Sequence, residues 1–394
     1  MVGRCSRVTS FDAMWDELAP IGRHAGTGGY RRYAWTREDA TLREWFAAQA
    51  AARGMDVVLD RAGNQWAWRG DPDRDGPGLV VGSHLDSVPD GGAFDGPLGV
   101  VSAFAALDEV PAPRRPVAVV NFGDEEGARF GVACAGSRIV TGALPADRAR
   151  GLTDADGTTM AEASPYASGF GRDDETLRRI GTFVELHVEQ GRDLVDRGAA
   201  VGVASAIRPH GRWRIELPGE ANHAGTTALV DRRDAMLSFA HVTLAARAAA
   251  ERHGGVATIG RVLARPNGVN AIASHITASL DARAPENAQV RAIVADIARD
   301  AREHGGEVVE ESWTDVTPFP SGLRDRLATV LDAPVLDTGA GHDAGVLAQA
   351  GVPAAMIFVR NPTGVSHSPA EHAERDDCHA GVAALVRVLT ELGA

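Results

Sequence analysis

From residue 78 onward the chain repeats one pattern: a short apolar run, a knot of polar residues, then a helix-length segment. "GLVVGSHLD" (78–86) reads as a buried strand running into a turn, and "LGVVSAFAALDEV" (98–110) as a helix apolar on most faces. "RPVAVVNFGDEEG" (115–127) and "TFVELHVEQG" (182–191) are further strands, and "ATLREWFAAQAAARGM" (40–55) is an amphipathic helix. Helices set between short hydrophobic strands predict an α/β fold with a mostly parallel, doubly wound sheet. Such sheets keep their sites at the strand C-termini. His84, Glu125, Glu126 and His187 fall at those ends.

The pattern changes after residue 208. A strand (211–217), a helix (232–253), strands at 256–264 and 274–283, a helix (286–303) and a strand (307–314) give the order β-α-β-β-α-β. That is a ferredoxin-like α+β unit, and Val290, Ile293, Val294 and Ile297 recur on one face of its second helix. "VPAAMIFV" (352–359) then resumes the buried-strand style, and "AGVAALVRVLTEL" closes the chain with a helix. A length of 394 residues exceeds one ordinary core. The expected organisation is a catalytic domain, 1–208 with 319–394, interrupted by an inserted domain, 209–318.

Composition narrows the partners. A net charge of −13 argues against nucleic acid and anionic membrane. All 40 basic residues are arginine, so Schiff-base catalysis and a Walker-type phosphate loop are excluded. The longest apolar stretches, such as Leu98–Leu107, fall well short of the ~20 residues that span a bilayer. The N-terminus lacks an apolar core of signal-peptide length, so a cytoplasmic protein is expected. Cys5, Cys134 and Cys378 form no CxxC pair, and Cys134 is expected to be a packing residue.

The polar knots carry the chemistry. On a strand, His84 and Asp86 would face the same way, so the aspartate can orient the imidazole. Asp95 follows in "GGAFDGPLG", where glycines let the backbone fold back, while Asp90 sits in a Pro-Asp-Gly-Gly turn. Glu125 and Glu126 are neighbours at a strand end and point to opposite sides, so one can bind a metal while the other acts as a base. His187 and His367 arrive at two further strand ends. Any one group can be structural; together, three histidines, one aspartate and one glutamate suit two divalent ions bridged by a carboxylate. GxSxG is absent, so no serine nucleophile competes.

"GSHLDSVPDGGAFDGPLGV", "GDEEGARF", "ELHVEQG", "NHAGTT", "RPNGVNAIAS", "DARAP", "GAGHDA" and "GVSHSPAEH" occur in the order found in the M20 family of dinuclear metal amidohydrolases. The chain resembles its branch of allantoate amidohydrolases, N-carbamoyl-L-amino-acid hydrolases and β-ureidopropionases. The resemblance implies that His84 and His187 bind one metal, Glu126 and His367 the other, and Asp95 both. It implies Asp86 as the partner of His84 and Glu125 as general base. In the inserted domain Arg283 would grip a substrate carboxylate, Asn270 and His223 would hold the carboxylate and reacting carbonyl, and His223 would reach a partner subunit's site. Gln190 and His342 would contact the ureido or amide end.

The implied cofactors are two divalent metal ions per subunit, Zn²⁺ or Mn²⁺, Co²⁺ or Ni²⁺. The implied reaction is hydrolysis of a linear C–N bond in a ureido or carbamoyl carboxylate, in a homodimer joined through inserted lid domains. Ala228-Leu229 and Ala271-Ile272-Ala273-Ser274 depart from the branch's usual residues where substrate is held. The rivals are a dipeptidase or aminoacylase on the same scaffold, and a catalytically silent binding protein.

Overall fold

The structure is a computed structural model that describes residues 10–110 and 113–393, so Cys5 lies outside the described residues. The chain divides into two compact units, Met1–Ser205 with Pro318–Ala394, and Ala206–Thr317. Among the described residues no helix is long and apolar enough to cross a membrane.

The first unit is built on four adjacent parallel strands, in the spatial order Val117–Phe122, Gly78–His84, Ile180–Val188 and Ala354–Val359. Almost all their residues are buried, as in a sheet covered on both faces. Gln65–Arg69 and Asp56–Leu59 extend the sheet antiparallel on one side, and Val201–Ile207 does so on the other. The expected mostly parallel sheet is therefore present as a parallel centre with antiparallel flanks.

The helix Pro97–Glu109 is buried from Pro97 to Leu107. Proline opens it at a position where no helical N–H is needed. Phe104 meets Phe46 of the helix Arg37–Ala52 with ring centroids 5.2 Å apart, and Leu385 and Val388 of Arg375–Glu391 join the same core. The helix expected at 40–55 starts earlier because the Thr36 hydroxyl accepts the Asp39 N–H as its cap.

In the second unit four antiparallel strands lie in the order Glu307–Thr314, His210–Pro218, His275–Arg283 and Val256–Arg265. The two central strands alternate between buried and more exposed residues, so one face carries Trp213, Ile215, Leu217, Ile276, Ala278 and Leu280. Val290, Ile293, Val294 and Ile297 of the helix Asn287–Glu303 are all buried in this core. The other helix runs Ala235–His253, not from 232, because Asp234 caps it by accepting the Met236 N–H.

Candidate metal centre

The C-terminal ends of the four parallel strands converge on one aspartate. His84 ends the first strand and His187 lies one residue from the end of another; Glu125 and Glu126 follow Phe122, and His367 follows the strand Ala354–Val359. Asp95 precedes the helix at Pro97. Its Oδ1 lies 3.5 Å from His84 Nε2 and 3.1 Å from His187 Nε2, and its Oδ2 lies 3.4 Å from His367 Nε2. His367 Nε2 is also 3.5 Å from Glu126 Oε2. The result is two groups, His84–Asp95–His187 and Asp95–Glu126–His367, each with ligand atoms within 4.8 Å of one another and with Asp95 in both.

Both buried imidazoles have one nitrogen engaged. His84 Nδ1 lies 3.2 Å from the Asp86 carbonyl oxygen, and His187 Nδ1 lies 2.9 Å from that of Val188. A carbonyl can only accept, so each Nδ1 carries a proton, and in the neutral ring that a metal needs each Nε2 would present a lone pair. Both Nε2 atoms are buried and, among the described residues, have no hydrogen-bond partner. Two lone pairs aimed at an anionic oxygen repel it unless a cation lies between them, and nitrogen and carboxylate donors suit borderline divalent metals. The residues fit a metal site.

The protonation pattern shows the same demand for positive charge. Burial opposes the charged form of His84, yet Glu125, Asp86 and Asp95 raise it well above its ordinary value. Burial would likewise raise Asp95, but His187, His367 and His84 hold it well below the carboxylate range. Burial, then the nearby Asp95 charge, pushes Glu126 up to about 7. Glu125, with Oε2 3.7 Å from His84 Nε2, is raised well above its ordinary value by burial and by Asp343, Glu126 and Asp86. Divalent cations would compete with protons for this charge deficit.

Asp86 acts in a way that strand geometry alone did not indicate. The strand stops at His84, so no strand pleat sets the two side chains on one face. A turn brings Asp86 Oδ1 within 3.4 Å of His84 Nδ1, and the same carboxylate accepts the N–H groups of Glu125 at 3.1 Å and Glu126 at 3.0 Å. Asp86 thus ties the histidine loop to the double-glutamate loop. Gly96, at φ 84°, runs past the His84 ring where a Cβ would overlap it, so the chain can fold back only with glycine here.

Gln190 donates to Asp95 Oδ2 at 2.8 Å and Ser366 Oγ at 3.1 Å, while its buried Oε1 has no partner among the described residues. His342 is buried with its ring centroid 4.5 Å from that of His187, and burial followed by the His187 charge keeps it neutral. His223, Asn270 and Arg283 belong to the second unit. There His223 pairs with Ala271 as an isolated bridge, the Ala224 N–H donates to the Asn270 carbonyl at 2.9 Å, and both side chains are exposed. Arg283 donates to both oxygens of Asp281, at 2.7 and 3.0 Å, so its guanidinium already has a carboxylate partner.

Two corrections concern residues outside the expected set. Cys134 is not a mere packing residue: its thiol donates to Glu125 Oε1 at 3.2 Å from a left-handed backbone, φ 55°. Glu371 is buried and accepts the N–H groups of Phe94 and Asp95, both at 2.9 Å. Cys134 lies only nine residues from Glu125, whereas no local spacing marks Glu371, which lies 276 residues from Asp95. Asp90 is a turn residue, as expected, with left-handed backbone and an ion pair with Arg31 at 2.8 Å.

A doubly wound unit with acids and imidazoles at its strand ends, interrupted by a ferredoxin-like unit, has the parts of a metal-using hydrolase. The model of peptidase family M20/M25/M40 matches residues 80–391, and the chain belongs to that family. Allantoate amidohydrolase of Escherichia coli K12 is 33% identical over 98% of this chain and 99% of its own. N-carbamoyl-L-amino acid amidohydrolase of Geobacillus stearothermophilus is 34% identical over 97% and 98%. A crystal structure of a hydantoinase/carbamoylase family amidase from Burkholderia vietnamiensis superposes with a TM-score of 0.86 at 29% identity, covering 100% of both chains. The chain is a hydrolase of carbon–nitrogen bonds, of the amidohydrolase kind.

Proposed function

We propose that the protein hydrolyses the linear C–N bond of an N-carbamoyl amino acid, allantoate or a related ureido acid, using two divalent metal ions. The observation that carries this is Asp95 set between two imidazole-containing groups, with the Glu125 carboxylate beside the first. His84, Asp95 and His187 would hold one ion and Asp95, Glu126 and His367 the other. Bound there, divalent cations would polarise the scissile carbonyl and make water a better nucleophile at neutral pH. The names of the relatives support ureido and carbamoyl substrates; Zn²⁺, Mn²⁺, Co²⁺ and Ni²⁺ all suit the donor set.

The residues have separate tasks in this reading. Glu125 takes the proton of the attacking water and delivers it to the leaving nitrogen. Burial raises its affinity for a proton, which helps it return that proton as an acid. Asp86 fixes Glu125 through the backbone, and the Cys134 thiol fixes the carboxylate itself. Gln190 and His342 border the ligands and would contact the ureido or amide end. Arg283, Asn270 and His223 would bind the substrate carboxylate and carbonyl, Arg283 in competition with Asp281. We assign residues 209–318 to a lid that also forms a homodimer.

Ammonia release from allantoate, N-carbamoyl-α-amino acids and N-carbamoyl-β-alanine, with Mn²⁺ or Zn²⁺, tests the substrate class. Turnover of peptides without ammonia would replace it with a peptidase. Glu125→Gln is expected to lower kcat by about 100-fold or more while both metals stay bound. Near-native turnover by a fully metallated Glu125→Gln would remove Glu125 as base.

A further inference from the structure

We propose that Glu371 is a positioning residue that clamps the Asp95 loop to the His367 loop and so sets the metal affinity of the Asp95–Glu126–His367 group. The inference rests on the dinuclear reading above.

Glu371 reaches from the His367 loop into the Asp95 loop. Its Oε1 accepts both the Phe94 and the Asp95 N–H at 2.9 Å, and its own N–H closes a turn onto the Ser368 carbonyl at 3.0 Å. Ser366 continues the link, with Oγ 3.4 Å from Glu371 Oε2, 3.3 Å from Asp95 Oδ2 and 3.1 Å from Gln190 Nε2. Gly92 completes the seat, because a Cβ there would overlap the Glu371 side chain.

The two joined loops supply different ligands. Asp95 is in both metal groups, whereas His367 belongs to the second alone. The imidazoles of the first group sit on or at the end of buried strands and are held by backbone carbonyls at Nδ1. His367 has no strand beneath it: it occupies a loop in left-handed backbone at φ 54°, with its side chain half exposed. Its distance from Asp95 is therefore set by what ties the two loops together. A buried side-chain oxygen that accepts two N–H groups is a stiff tie, because breaking it strands two donors.

This gives an asymmetric expectation. Loss of the clamp should weaken the second group and leave the first metallated. Metal per subunit, measured by mass spectrometry after dialysis against limiting Mn²⁺ or Zn²⁺, should fall from two towards one in Glu371→Ala. Chelator competition should show the second ion held about 10- to 100-fold more weakly. The effect on kcat should follow metal occupancy and exceed that on KM. Glu371→Gln keeps an oxygen that can accept both N–H groups and should recover most of the lost affinity. Glu371→Asp keeps the carboxyl group but withdraws it by one methylene and should resemble alanine; it carries the test if the alanine variant does not fold.

Two tightly held metals in both Glu371→Ala and Glu371→Asp, with only the melting temperature lowered, would make Glu371 a fold tie and overturn the proposal. Equal loss of both metals would overturn the asymmetry. Native protein that binds only one ion would instead sink the dinuclear reading, and this inference with it.

Discussion

At the residue scale the centre depends on carboxylates that never need touch a substrate. Asp86 is buried, and its two oxygens receive the N–H groups of consecutive glutamates, one the proposed base and one a proposed ligand. Asp86→Ala would strand both N–H groups away from water, a penalty of about 1–3 kcal/mol for each donor left unpaired. It would also remove the carboxylate beside His84 Nδ1. The expected outcome is a lower melting temperature together with metal affinity reduced about 10- to 100-fold, measured by chelator competition. A destabilised variant with native metal affinity would limit Asp86 to the backbone. The His-x-Asp spacing made the partnership with His84 readable in the sequence. The hold on Glu125 and Glu126 was not, because 39 and 40 residues separate the partners and only the parallel strands bring them together.

At the scale of elements, hydrophobic patterning told strand from helix well, and the one face assigned in the inserted unit, that of Val290, Ile293, Val294 and Ile297, is buried. What alternation leaves out is the chemistry across strands. Glu216 on His210–Pro218 stands opposite Thr277 on His275–Arg283. Its Oε2 accepts the Thr277 hydroxyl and His275 Nε2, both at 2.7 Å, and its Oε1 pairs with Arg214, which also reaches Glu311 of the next strand at 3.2 Å. Partial burial would raise the Glu216 carboxyl, but these partners hold it at about 2 against an ordinary 4.5. A folded value below the unfolded one gives stability that is present above pH 4.5 and lost as pH falls through 2. Glu216→Gln should therefore cost about 1 kcal/mol at pH 6, allowing for solvent screening. The gap in melting temperature from the native protein should narrow below pH 4.5 and close near pH 2. A gap constant over that range would show that packing, not charge, links these strands.

At the scale of the whole molecule, the change of pattern near residue 208 was legible because the chain passes there from buried strands alternating with helices to an order, β-α-β-β-α-β, that closes a sheet of its own. The outer surface of the inserted unit was less so, since its long helix is rich in alanine and lacks a clean polar face. The helix Ala235–His253 packs on its own sheet through Ala235, Val242, Ala246, Ala249 and Ala250, and turns Leu237 and Leu244 outward, 62% and 72% exposed. Val256–Arg265 is the outer strand of that sheet, has one neighbour among the described residues, and exposes Val256, Val262 and Leu263. An unpaired edge beside exposed leucines is a liability for a monomer and an asset for a twofold pair, in which each copy supplies the other's missing strand and apolar cover. Light scattering should give a dimer mass for the native protein. Leu237→Glu combined with Leu244→Glu should give a monomer with unchanged metal content, because both substitutions lie outside the unit that carries the candidate metal centre. A native monomer, or a double variant that stays dimeric, would move the interface away from this face. If the monomeric variant also loses ureido hydrolysis while keeping both metals, the partner subunit completes the site, as expected for His223.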